Sequence, residues 1–145
     1  MRILGRRPGW CVAALMACGA MLVVGCGSED EKLVPVAGKV TVNGKPLTSG
    51  TVSFRPDQGK GNKSQHQPNG VIDAEGNYKM TLSPDKKGVP PGWYKVVVVA
   101  LDDPWPGKPL KSFIDMKYAD EKTTPLKVEV VANPEPGRYD LKLTK

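Results

Sequence analysis

A chain of 145 residues with one His and three Cys has room for one ordinary domain of roughly 100 to 150 residues, which excludes a multi-domain enzyme. Hydrophobic residues at 39% and charged residues at 25% can fill a core, and Gly 16 with Pro 14 makes the chain turn-dense, favouring strands over long helices. The formal charge of +6 is carried by scattered lysines, among them Lys39, Lys79, Lys95 and Lys142, which alternate with apolar neighbours instead of forming the stripe that a nucleic-acid binder concentrates.

The first element is a targeting segment. Arg2, Arg6 and Arg7 open the chain, no acid precedes Glu29, and Trp10 to Val24 is apolar for about 15 positions. A secretory signal has this layout, and the run is short of the roughly 20 residues that a membrane-spanning helix needs. It ends in Val23-Val24-Gly25-Cys26 and gives way at once to Gly27, Ser28 and the acids Glu29, Asp30 and Glu31. An aliphatic pair, a small residue and then Cys resembles the lipobox of bacterial lipoproteins, in which the thiol is alkylated by diacylglycerol before the peptide is cut on its N-terminal side. Cys26 is then the lipidation site and the first mature residue. The alternative is an ordinary signal peptide cut at a small residue, with Cys26 left free.

Cysteine count favours the lipid. Cys11 and Cys18 fall in the removed segment, so the mature chain keeps Cys26 alone and forms no internal disulfide. An unpaired thiol is a liability in an oxidising compartment unless its sulfur is already capped. Each buried methylene of an attached acyl chain contributes about 0.8 kcal/mol to membrane anchoring. Removal of Arg2, Arg6 and Arg7 also lowers the formal charge to +3. The organisation read from the sequence is therefore a signal peptide over 1–25, a lipidated Cys and tether over 26–33, and one domain over 34–145.

Within that domain apolar residues recur every second position, the period of a half-buried strand. Val34, Val36, Gly38, Val40 and Val42 share one face, and Asn43-Gly44 supplies a turn. Val52 and Phe54 follow between Gly50 and Pro56. Gly70 to Asp73 and Asn77 to Leu82 form a hairpin, with positive φ expected at Gly76. Trp93 to Leu101 is nearly continuous in apolar residues, and its run of valines predicts a central strand covered on both faces. One helical turn fits within Lys111 to Asp120. Leu126, Val128 and Val130 form a further strand, and Tyr139, Leu141 and Leu143 the last. About seven strands with Gly/Pro punctuation predict an all-β, antiparallel Greek-key sandwich. Two connections are long: 57–69, carrying Lys60, Lys63 and His66, and 102–124, carrying Trp105, Phe113 and Tyr118.

The segments VAGKVTVNGKPLTSGTVSFRP, GVIDAEGNYKMTL, GVPPGWYKVVVVA, KYADEKTTPLKVEV and RYDLKLT together resemble the small lipoproteins of planctomycete-type bacteria that carry a transthyretin-like, or carboxypeptidase-regulatory-like, domain. The resemblance covers almost all of the mature chain. It implies a seven-stranded prealbumin-like sandwich outside the cytoplasm, with no catalytic residues to carry over. One branch of that fold hydrolyses 5-hydroxyisourate with several histidines, an arginine and a C-terminal Tyr-Arg-Gly-Ser, whereas this chain has His66 alone and ends Leu143-Thr144-Lys145.

Other chemistry finds little support in the residues. Ser49, Ser53, Ser64, Ser83 and Ser112 lack the GxSxG context of a nucleophile elbow. Asp102 and Asp103 adjoin Trp105, but neighbours on a strand point to opposite faces and do not converge on one bond. There is no Cys/His cluster for zinc, and Asp73-Ala74-Glu75-Gly76 lacks the spaced ligands of a calcium loop. No cofactor is implied. The reading is a non-enzymatic accessory or scaffold domain, anchored by lipid at Cys26 to the periplasmic face or surface of a bacterial membrane and contacting an envelope protein. The alternative is a carbohydrate or small-ligand binding module that uses the loop aromatics Trp105 and Tyr118.

Overall fold

The structure, a computed structural model, describes residues 32–102 and 106–145. The signal segment, Cys26, Asp103 and Trp105 lie outside the described residues. The all-β expectation holds: the described residues form two sheets, and their longest helical element is the four-residue 3-10 turn Met116–Ala119, within the segment where one turn is expected.

The larger sheet is built on β3 (Thr51–Pro56) and β8 (Gly92–Val99), antiparallel from Thr51↔Val99 to Pro56↔Tyr94. β9 (Lys127–Val130) extends it past β8. On the other side β4 (Asn69–Val71), β6 (Thr81–Ser83) and β7 (Lys86–Lys87) follow β3 in that order. The smaller sheet centres on β1 (Ala37–Val42), which pairs with β2 (Lys45–Pro46), β5 (Asn77–Lys79) and β10 (Leu141–Leu143). Asn43 and Gly44, at φ 49° and 82°, occupy the left-handed region at both central positions of the β1–β2 turn, the backbone that a two-residue hairpin requires.

Alternation places the core. Val36 and Val40 from β1 and its approach, Val52 and Phe54 from β3, Tyr94, Val96 and Val98 from β8, and Leu141 and Leu143 from β10 belong to one buried cluster shared by both sheets. Phe54 and Tyr94 meet at its centre with rings 5.6 Å apart. The valine run of β8 behaves as its stiff side chains predict, with one difference. Val97, on the face away from the core, is also buried, and the turn Met116–Ala119 packs against the strand. Val99 is 36% exposed, so the two-sided cover stops short of the strand's end.

One pairing departs from the antiparallel expectation. β10 runs parallel to β1, in the register Val40↔Leu141 to Val42↔Leu143. Parallel neighbours need a crossover rather than a hairpin, and the segment between β9 and β10 provides it by carrying the chain from one sheet to the other. Three contacts hold the arrival: the Lys39 N–H donates to Asp140 Oδ1 at 2.9 Å, the Tyr78 hydroxyl donates to the Tyr139 carbonyl at 2.6 Å, and the Tyr139 hydroxyl accepts from the Val131 N–H at 3.3 Å.

Candidate functional site

The two long loops are tied down by different devices. In 102–124 the β8 chain runs on into a hairpin stem, with Leu101 bridged to Ser112, the Phe113 N–H on the Ala100 carbonyl and the Asp102 N–H on the Lys111 carbonyl. Downstream, the Asp115 carboxylate accepts from the Lys117 N–H at 2.9 Å and from Lys117 Nζ at 3.1 Å. These bonds hold the Asp115 carboxyl below its ordinary range, the Lys117 backbone N–H contributing most, and hold the Lys117 ammonium above its own.

Tyr118 does not offer the stacking face expected of a ligand platform. It is 4% exposed, its hydroxyl lies 3.1 Å from Thr144 Oγ1 and accepts the Thr144 N–H at 3.2 Å, and Lys117 Nζ sits 4.9 Å above its ring. A 3-10 turn places Tyr118 inward, and the ring pins the loop to the end of β10. Trp105 lies outside the described residues.

The 57–69 loop is organised by two buried polar residues, Asp57 and Asn62. Asn62 Nδ2 donates to the Trp93 carbonyl at 2.9 Å while its Oδ1 accepts from the Ser64 N–H at 3.0 Å. The Asp57 N–H takes the same Trp93 carbonyl, and the Asp57 carboxylate faces Lys127 Nζ at 3.9 Å. Lys60 Nζ lies 3.5 Å above the Trp93 ring, a cation–π contact. The result is a depression of about 400 Å³ lined by Lys60, Asn62, Lys63, Ser64, Pro91 and Trp93, with two lysines and no carboxylate in its wall. His66 is exposed beyond it, its N–H bonded to Ser64 Oγ.

A second concavity opens beside β4 and β5. They belong to different sheets but lie close together, with an isolated Ile72↔Tyr78 bridge next to them. Between them is a groove of about 560 Å³ lined by Asn69, Gly70, Val71, Asp73, Asn77 and Lys79. Gly70 permits the close approach of the two strands at its wall, since a Cβ there would meet the Lys79 carbonyl oxygen at 2.7 Å. Val71 is 76% exposed at its centre. The Asp73 carboxylate accepts N–H bonds from Asn77 at 2.8 Å and Glu75 at 3.0 Å, which set the turn and hold this carboxyl below its ordinary range. Gly76, at φ 85°, completes the turn in the conformation expected for it.

The groove is absent from the sequence expectations above, and its signal is a local one. Gly70-Val71-Ile72 sets two apolar side chains side by side in a strand, and alternation obliges one of them to face out. Among the described residues, no group of three His, Cys, Asp or Glu converges as metal ligands would, and no helix is long and apolar enough to cross a membrane. No family model, curated protein or solved structure matches the chain.

Proposed function

We propose that this protein is a lipid-anchored, non-catalytic accessory domain of a bacterial cell envelope, a Greek-key sandwich of the transthyretin-like kind that holds a contact surface outside the cytoplasm. The observation that carries the reading is the uncharged run Trp10 to Val24 closing on Val-Val-Gly-Cys26, with an acidic tether and then a β-domain behind it. Tyr94 supports the Greek-key assignment. Its hydroxyl donates to the Pro90 carbonyl at 2.9 Å, four residues upstream, the geometry of a tyrosine corner.

The non-catalytic reading is supported by where the shifted titratable groups stand. Asp73 and Asp115 cap turns, and Tyr78 is buried on a backbone carbonyl. Each of these shifts has a fold-building hydrogen bond or burial as its cause.

Contact through the β4–β5 groove is favoured over strand addition. The sheet edges are short: β7 has two residues, β10 three and β9 four, and Arg138 Nε occupies the Glu129 carbonyl on β9. Short, covered edges resist added strands. Val71, by contrast, is an exposed apolar centre with a polar rim of Asn69, Asp73, Asn77 and Lys79, the composition of a small protein-contact patch.

Mass analysis of the native N-terminal peptide tests the anchor. A diacylglyceryl adduct on Cys26, absent from Cys26→Ser, is the expected result, and an unmodified thiol removes the reading. A photocrosslinker placed at position 71 in cells is expected to trap a discrete envelope protein that one placed at position 142 does not.

A further inference from the structure

The face of the larger sheet turned away from the core carries three cations in register. Arg55 on β3 is directly opposite Lys95 on β8, and Lys95 is directly opposite Lys127 on β9. Like charges paired across strands weaken a sheet, so the row costs stability unless something answers it. Two members are answered within the chain: Lys95 Nζ lies 3.7 Å from Glu121, and Lys127 Nζ lies 3.9 Å from Asp57. Three cations against two carboxylates leave one positive charge, and it belongs to Arg55. Among the described residues the Arg55 guanidinium has no ion pair and no hydrogen bond.

The 57–69 loop turns this row into the floor of a cleft. Asn62, bonded to the Trp93 carbonyl, holds the loop against β8, and the register Ser53↔Asn69, continued by the Phe54 N–H on the Pro68 carbonyl, sets Gln67 beside Arg55. The cleft has a volume of about 350 Å³, and its wall includes Arg55, Asp57, Gln58, Gln65, Gln67 and Lys95. Its described wall holds neither an aromatic nor a large aliphatic side chain. Lys60 and Lys63, on the same loop, line the neighbouring depression beside Trp93 instead.

Asp57 supplies a second, independent sign of a ligand. It precedes the 3-10 turn Gln58–Lys60, yet its carboxylate makes no capping bond to that turn. The side chain is buried, and among the described residues its carboxylate accepts no hydrogen bond, since Lys127 at 3.9 Å stands beyond hydrogen-bonding reach. Buried polar groups are satisfied by donors, and the space that Asp57 lines is the cleft.

We propose that this cleft binds an acidic sugar, a uronate, with the ligand carboxylate on the Arg55 guanidinium and ring hydroxyls donating to Asp57. A guanidinium fork matches a carboxylate bidentately, and the glutamine amides both donate and accept, as neighbouring sugar hydroxyls do. Residues 55 and 57 stand about 7 Å apart along an extended chain, a span that one pyranose ring bridges between its carboxylate and its hydroxyls. Glu121 and Asp57 each face a lysine, so the charge left for the ligand to meet is that of Arg55. The site uses neither Trp105 nor Tyr118, and it depends on neither the lipid anchor nor the Val71 groove.

The test uses the full native protein in a non-glycosidic detergent, titrated with glucuronate, glucose, acetate and inorganic phosphate and followed by saturation-transfer NMR. Saturable glucuronate binding, roughly tenfold tighter than that of the other three probes, is the expected result, because only glucuronate offers both the carboxylate and the hydroxyls. Arg55→Gln should lose that preference while the melting transition of the free protein stays unchanged or rises, since the row of like charge is relieved. Arg55→Lys keeps the charge without the fork and should retain part of the binding. A Gln65→Ala and Gln67→Ala double substitution, on exposed side chains, should weaken glucuronate without moving the melt. Phosphate or acetate binding as tightly as glucuronate reduces the cleft to a general anion site and overturns the proposal. Glucose binding as tightly as glucuronate, full binding by Arg55→Gln, or a lowered melt of the free Arg55→Gln protein overturns the role given to Arg55.

Discussion

The Tyr78 hydroxyl donates to the Tyr139 carbonyl at 2.6 Å across 61 residues of sequence, and this bond joins the β4–β5 hairpin to the strand that closes the smaller sheet. Burial, reinforced by the nearby Asp140 carboxylate, pushes the Tyr78 phenol well above its ordinary value. A group whose acidity is suppressed in the folded state gives stability below its unfolded pKa and loses it as pH rises beyond that value. Tyr78→Phe strands a buried carbonyl and is expected to destabilise by about 1–3 kcal/mol near neutrality. In wild type, stability should fall as pH climbs past about 10, and the variant should lack that part of the decline. Denaturant midpoints across pH 7 to 11 check both.

Gly38 lies under the same junction. A Cβ there would stand 2.3 Å from the Tyr139 carbonyl oxygen and 3.0 Å from the Tyr78 ring. Backbone, not a flexible side chain, occupies the space, so Gly38→Ala has to push β10 away from β1. A loss of several kcal/mol is expected, of the size seen when cores are overpacked or worse. Gly44→Ala is the control: its turn is strained by φ 82° but its Cβ meets nothing, and the cost should stay near 1 kcal/mol. Thermal melts of the two variants distinguish crowding from backbone strain.

What the sequence makes legible follows from local physics. Alternation in Val34–Val42 and Tyr139–Leu143 identifies their buried faces, because a strand has two sides and only one meets the core. Asn43-Gly44 and Gly76 announce their turns through backbone freedom. The parallel pairing of β1 with β10 is not legible, since no local pattern states which distant strand a final strand joins; it depends on the Gly38 gap and the Tyr78 bond, 61 residues from its acceptor. Tyr118 misleads for a related reason: an aromatic in a long polar connection suggests exposure, and only the placement of Thr144 reveals that the ring is a peg.

Asn62 is the residue on which the shape of the 57–69 loop turns. Its amide bonds the Trp93 carbonyl and the Ser64 N–H from a buried position. Asn62→Ala removes both bonds, and Asn62→Asp keeps the acceptor but places a carboxylate against a carbonyl. Each is expected to cost about 1–3 kcal/mol and to accelerate hydrogen exchange at Ser64 and His66 by at least the same ratio as their neighbours in 58–61. Exchange in β8 beyond Trp93 should be unchanged, and acceleration there would show that the loop is part of the global unfolding unit.

Asp73 gives the acid side of the stability profile. Its carboxylate accepts two backbone N–H bonds inside the turn that leads into β5, and the Asn77 N–H is the main cause of its lowered pKa. A carboxyl held below its unfolded value contributes stability above that value, near pH 4, and the contribution disappears as pH falls through the folded one. Asp73→Ala should therefore be less stable than wild type at neutral pH and converge with it in strong acid. Because Asp73 also rims the Val71 groove, loss of the turn should weaken partner crosslinking at position 71 at neutral pH, whereas Asp73→Asn, which keeps an oxygen acceptor, should retain most of it. A variant in which crosslinking falls with Asn as much as with Ala would mean that the partner reads the charge itself rather than the shape of the turn.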